Sequence, residues 1–81
     1  MTGQEPKRVY RLRDYDHAIA ALNANRESRQ ISISKLAATV KAGRTEVSLW
    51  LLGKRKPAAQ RLFDLAGALG YDLALIPKED A

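Results

Sequence analysis

Cysteine is missing from all 81 residues, which excludes disulfides, thiolate metal sites and thiol nucleophiles together. Histidine occurs once, and His17 reads as a surface or half-buried helix residue. With only scattered carboxylates besides, no nucleophile–base pair and no metal-ligand cluster stands out. An enzyme is therefore not expected, and no metal or cofactor is implied. Aromatic rings are few, with one Trp, one Phe and three Tyr. Single-stranded RNA is read largely by stacking bases on such rings, so RNA is a disfavoured partner. Long apolar runs are lacking as well. The start, MTGQEPKRVY, has no apolar stretch of the export-signal kind, and no segment approaches the ~20 apolar residues that span a bilayer. The expectation is a soluble cytoplasmic protein with no membrane partner.

The size suits one domain with a small core, since a chain of this length buries roughly 60% of its unfolded surface. Net charge is +5, and its placement is more telling than its size. From Ser32 to Lys56 stand six basic residues (Lys35, Lys41, Arg44, Lys54, Arg55, Lys56) against one acid, Glu46, so the rest of the chain is neutral. A cationic segment in a neutral chain suits a polyanion, nucleic acid above all, better than it suits general solubility.

The pattern predicts a mostly α, compact four-helix domain over residues 14–70. A basic arm (1–13) precedes it, and a short C-terminal β-strand (71–77) and a tail (78–81) follow. The first helix starts near Asp14 or Asp16, where an acid suits the positive helix end, and runs to about Ser28 with Ala18, Ala21 and Leu22 as its apolar stripe. Ser32 caps the second, Ile31 and Leu36 occupy the staple positions, and Leu36, Ala37 and Val40 face inward. Lys35 is out of place at a positive helix end unless an anion sits nearby. A third helix spans about Arg44 to Leu52, with Val47, Trp50 and Leu51 facing the core and Gly53 in the left-handed position that ends it. Pro57 suits the entrance of the fourth, which Gly70 stops. Leu62, Phe63, Leu65, Ala66 and Leu69 form its inward face, and Gly67 in mid-helix hints at close packing.

Two short helices joined by a tight turn, the second opening on Arg44, Thr45 and Glu46, form a helix-turn-helix. A helix fits the DNA major groove with one face held by its protein and its first turn on base edges. Val47, Trp50 and Leu51 hold the protein side. Arg44, Thr45, Glu46, Ser48 and Leu49 are left to read bases, and Lys54, Arg55 and Lys56 to meet phosphates. Arg44 suits a bidentate contact with guanine, Glu46 accepts from cytosine, and Thr45 and Leu49 suit a thymine methyl. Blander roles compete: a solvated Arg44, a Glu46 that serves only the helix dipole, and Leu49 and Leu52 covering core or a dimer contact. Trp50 reads as core rather than as a stacking platform.

The series ISISKLA, Val40, Val47, GKRKP and LFDLAGALG, spaced without a gap, resembles the phage repressor/Cro (XRE-like) helix-turn-helix family over roughly Ala18 to Ile76. The resemblance implies a sequence-specific regulator of transcription, a phage or prophage repressor or Cro-like protein, bound to palindromic double-stranded operator DNA as a homodimer. It places positions 44, 45, 46 and 49 on bases and positions 32 to 34 and 54 to 56 on phosphates, which brings in Ser32, Ser34 and the neighbouring Lys35. Three departures stand out. Ile33 replaces a frequent Gln, and Lys41 replaces the usual turn Gly, with Gly43 as the compensating residue. Leu51 replaces a Glu that pairs with the arginine at position 26, which leaves Arg26 to contact phosphate.

In the tail, YDLALIP carries strand formers. Pairing with a second chain would bury Leu73 and Leu75 beside Tyr71, and relatives of this type dimerise through such segments; folding back on VYRLR is the other option. Lys7 and Arg8, with Arg11 and Arg13, either track the minor groove or stay unbound. A second function class also fits: an antitoxin that represses its own operon and holds a toxin through arm or tail.

Overall fold

The computed structural model describes residues 10–78, so Lys7 and Arg8 of the expected minor-groove arm lie outside the described residues. Four helices follow one another: α1 (Tyr15–Ser28), α2 (Ile33–Val40), α3 (Arg44–Leu51) and α4 (Ala59–Ala68). Their starts are set locally. Asp14 caps α1 by accepting from the His17 amide at 2.8 Å, and Ser32 caps α2 by accepting from the Lys35 amide at 3.0 Å. Gly43 and Ala58 precede α3 and α4 without a side-chain cap. Pro57 sits just ahead of α4 rather than in its first turn, and it is buried.

All four helices end alike. A residue with positive φ turns the chain, at Gln30 (58°), Lys41 (59°), Gly53 (76°) and Gly70 (87°). Its amide, and the one after it, return to carbonyls of the last helical turn, as when Lys41 bonds Ala38 at 3.2 Å and Ala42 bonds Ala37 at 3.0 Å. Such paired bonds satisfy carbonyls that a helix end otherwise leaves unmet.

The core lies where α2 packs on α3 and α4, and α1 on α3. Leu36, Val47, Leu65 and Leu69 are fully buried at its centre, with Leu22, Ala37, Val40, Trp50, Leu51 and Ala66 around them. On α1 the buried stripe is Ala18, Ile19 and Leu22, so Ile19 replaces the expected Ala21, which is half-buried.

Three expectations are overturned. Phe63 is 55% exposed instead of facing inward; it lies roughly 100° round the helix from Leu62, off the stripe that Leu65, Ala66 and Leu69 share. Gly67 marks no close approach, since a Cβ there would meet nothing within 4 Å. The tail forms no strand: among the described residues there is no β-ladder, and 71–78 take no regular secondary structure. Strand-forming side chains do not make a strand unless a second segment completes the ladder. Tyr71 and Leu73 instead pack against the core. The Asn25 amide donates to the Tyr71 hydroxyl at 3.1 Å, and the Tyr10 ring meets the Tyr71 ring edge-on with centroids 5.8 Å apart. Leu75 is fully exposed.

Candidate nucleic-acid interface

The first turn of α3 stands clear of the protein. Arg44, Thr45 and Glu46 are exposed, and Ser48 and Leu49 are half-buried. Behind them Val47, Trp50 and Leu51 are all buried. The helix is thus anchored along one face and open along the other, which is the division a groove-reading helix needs.

Cationic and polar groups flank it on both sides. At the start of α2, Ser32, Ser34 and Lys35 are exposed. The Ser32 hydroxyl already accepts from the Lys35 amide, while Ser34 Oγ accepts from Arg44 Nε at 2.9 Å and so ties the two helix starts together. After α3, Lys54, Arg55 and Lys56 are exposed on a loop whose backbone is fixed: the amides of Lys54 and Arg55 donate to the Leu49 carbonyl at 2.9 and 3.3 Å. Tyr15 of α1 steadies the far end of that loop. Its hydroxyl donates to the Pro57 carbonyl, and the Lys56 ammonium lies 5.8 Å from its ring centroid. The separation suits a cation–π contact.

The turn between α2 and α3 is held by an arginine that sequence reasoning missed. Arg61 of α4 donates through Nη1 to the Val40 carbonyl at 2.7 Å and through Nη2 to the Lys41 carbonyl at 3.4 Å. Asp64 pairs with it at 3.4 Å, and its guanidinium carbon lies 5.9 Å from the Trp50 ring centroid. One side chain therefore joins the end of α2, the back of α3 and α4. Arg29 acts similarly on α4, donating to the Leu69 carbonyl and to Asn25 Oδ1. The Arg61–Asp64 spacing was visible in the sequence, but the carbonyl partners, 20 and 21 residues away, were not.

The turn also corrects two expectations. Lys41 itself adopts the left-handed conformation in place of the usual glycine, and Gly43, at φ −69°, compensates for nothing. Arg26 is not released towards phosphate. With Leu51 offering no carboxylate, its guanidinium turns inward to the Ile31 carbonyl at 2.8 Å and Asn23 Oδ1 at 3.0 Å, with Glu27 at 3.5 Å, and the side chain is only 13% exposed.

A family model described as "Helix-turn-helix" matches residues 22–76. The chain belongs to the XRE-like helix-turn-helix family. Members of this helix-turn-helix family are DNA-binding regulators of transcription rather than enzymes, and the matched residues take in all of α2, α3 and α4. No curated protein and no solved structure matches the chain. Among the described residues of this helix-turn-helix protein, no helix is long and apolar enough to cross a membrane, and no group of three or more His, Asp or Glu could hold a metal ion.

Proposed function

We propose that this helix-turn-helix protein is a sequence-specific repressor of the phage repressor/Cro kind, bound to palindromic operator DNA as a homodimer. The observation that carries the reading is the open first turn of α3, backed by buried Val47, Trp50 and Leu51 and flanked by exposed Lys35, Lys54, Arg55 and Lys56. α3 enters the major groove. Arg44, Thr45, Glu46, Ser48 and Leu49 face base edges, and Ser32, Lys35 and the 54–56 loop meet the flanking phosphates.

The tail supports the dimer. Leu75 is fully exposed, Ile76 is 43% and Leu12 40% exposed, and together with Tyr10, Leu22 and Leu73 they border a groove of about 550 Å³. A second copy related by two-fold symmetry would cover these side chains and set two α3 helices about one helical turn of DNA apart. Tyr71, Leu73 and Leu75 are the contact residues of this reading.

Selection of bound sites from a random DNA pool tests both parts. The expected product is a palindrome, and Leu75→Asp should halve the mass in light scattering and weaken operator binding. An unselective pool, or a palindrome bound equally well by a Leu75→Asp monomer, would refute the corresponding part.

A further inference from the structure

We infer that Ser34 is a positioning residue for base recognition: its hydroxyl aims the Arg44 guanidinium so that the two terminal nitrogens meet a guanine end-on. The inference rests on the proposed operator binding and deepens it. Arg44 opens α3 and Ser34 lies in the first turn of α2, and the two are joined by the 2.9 Å bond from Arg44 Nε to Ser34 Oγ. No other side-chain hydrogen bond engages Arg44 among the described residues.

An arginine can present a guanine with either of two forks, Nε with one terminal nitrogen or both terminal nitrogens together. The bond to Ser34 uses up Nε and leaves the second. It also limits a long side chain that is otherwise exposed, so less freedom is lost when the base is met. A serine hydroxyl has one hydrogen to donate besides the lone pairs that accept. While it accepts from Arg44, Ser34 can still donate to a phosphate. One hydroxyl then couples the register of the protein on the DNA backbone to the aim of the base-reading side chain. A phosphate contact alone would carry no sequence information.

The test measures binding of the full chain to its selected operator and to the same operator with the Arg44-facing guanine replaced by adenine or by 7-deazaguanine. Arg44→Ala should lower the guanine preference by roughly 5- to 100-fold. Ser34→Ala should lower it about ten-fold, as loss of a bond to a charged group predicts, with the helical fold retained by circular dichroism. Ser34→Thr, which keeps the hydroxyl, should restore it. In an Arg44→Ala background, Ser34→Ala should leave the preference unmoved. The inference is overturned if Ser34→Ala weakens all these sites by one common factor, which would make Ser34 a simple phosphate contact. It also falls if the Arg44-dependent guanine preference survives Ser34→Ala intact. A wild-type chain that selects no site at all would instead remove the operator reading on which the inference stands.

Discussion

Replacing Lys41 by glycine should make the protein more stable, although it deletes a side chain. Lys41 is held at φ 59°, ψ 47° by the turn between α2 and α3. A single L-residue there is strained by about 1–2 kcal/mol because its Cβ crowds the following carbonyl. Glycine removes that strain but loses about 0.5–1 kcal/mol more backbone entropy on folding. The balance is a gain of at most about 1.5 kcal/mol with a midpoint of about 0.75 kcal/mol, the midpoint being roughly 3–6 °C in melting temperature for a domain of this size. The Lys41 side chain makes no hydrogen bond or ion pair among the described residues that would offset this; its amide bonds the Ala38 carbonyl and its carbonyl accepts from Arg61, and both bonds survive the change. Thermal unfolding followed by circular dichroism gives the first reading, and a urea titration with an unchanged slope shows that stability rather than denatured-state compactness has moved. Gly43→Ser is the matched control. Gly43 has an ordinary φ and open space around its Cβ position, so a serine fits and adds a hydroxyl that can cap α3, for a gain of a few tenths of a kcal/mol. A lower melting temperature for Lys41→Gly, together with a clear loss for Gly43→Ser, would refute the assignment of the left-handed residue.

Gly67→Ala should raise stability by about 1 kcal/mol, since the position is helical, exposed and unobstructed; a loss on calorimetry would mean that an undetected neighbour occupies the space. Arg61→Met, which keeps the aliphatic stem, should cost about 1–3 kcal/mol by leaving the Val40 carbonyl unmet, and urea midpoints would expose a neutral outcome. Lys54→Ala should reduce the dependence of log K on log salt by about 0.9 for all DNA sequences alike, and an unchanged slope would remove Lys54 from the phosphate contacts.

What was legible in the sequence was whatever depends on near neighbours. Ser32 was readable as a cap because a cap bonds an amide three residues on, Asp14 as one of two candidate starts because an acid suits the positive helix end, and Gly53 and Gly70 as stops because the left-handed residue is usually glycine. The inward faces of α2 and α3 followed from spacing alone. Of the proposed reading surface, the exposure of Arg44, Thr45 and Glu46 was legible by subtraction, once Val47, Trp50 and Leu51 were assigned to the core. Composition misled at Phe63 and at the tail, where apolar or strand-forming residues were given partners that the described residues do not supply. The non-glycine turns at Gln30 and Lys41, and the bonds made by Tyr15, Arg29 and Arg61, depend on tertiary neighbours that no local pattern names.

Among the cations there is a division of labour. Arg26, Arg29 and Arg61 are occupied with main-chain carbonyls inside the molecule, whereas Lys35, Lys54 and Arg55 point outward and serve no helix end through their side chains. Grip on a polyanion can therefore drift, strengthening or weakening one lysine at a time, while the scaffold beneath stays the same. Neutralising an inner arginine has no such latitude, because it would loosen a helix terminus along with whatever that helix holds.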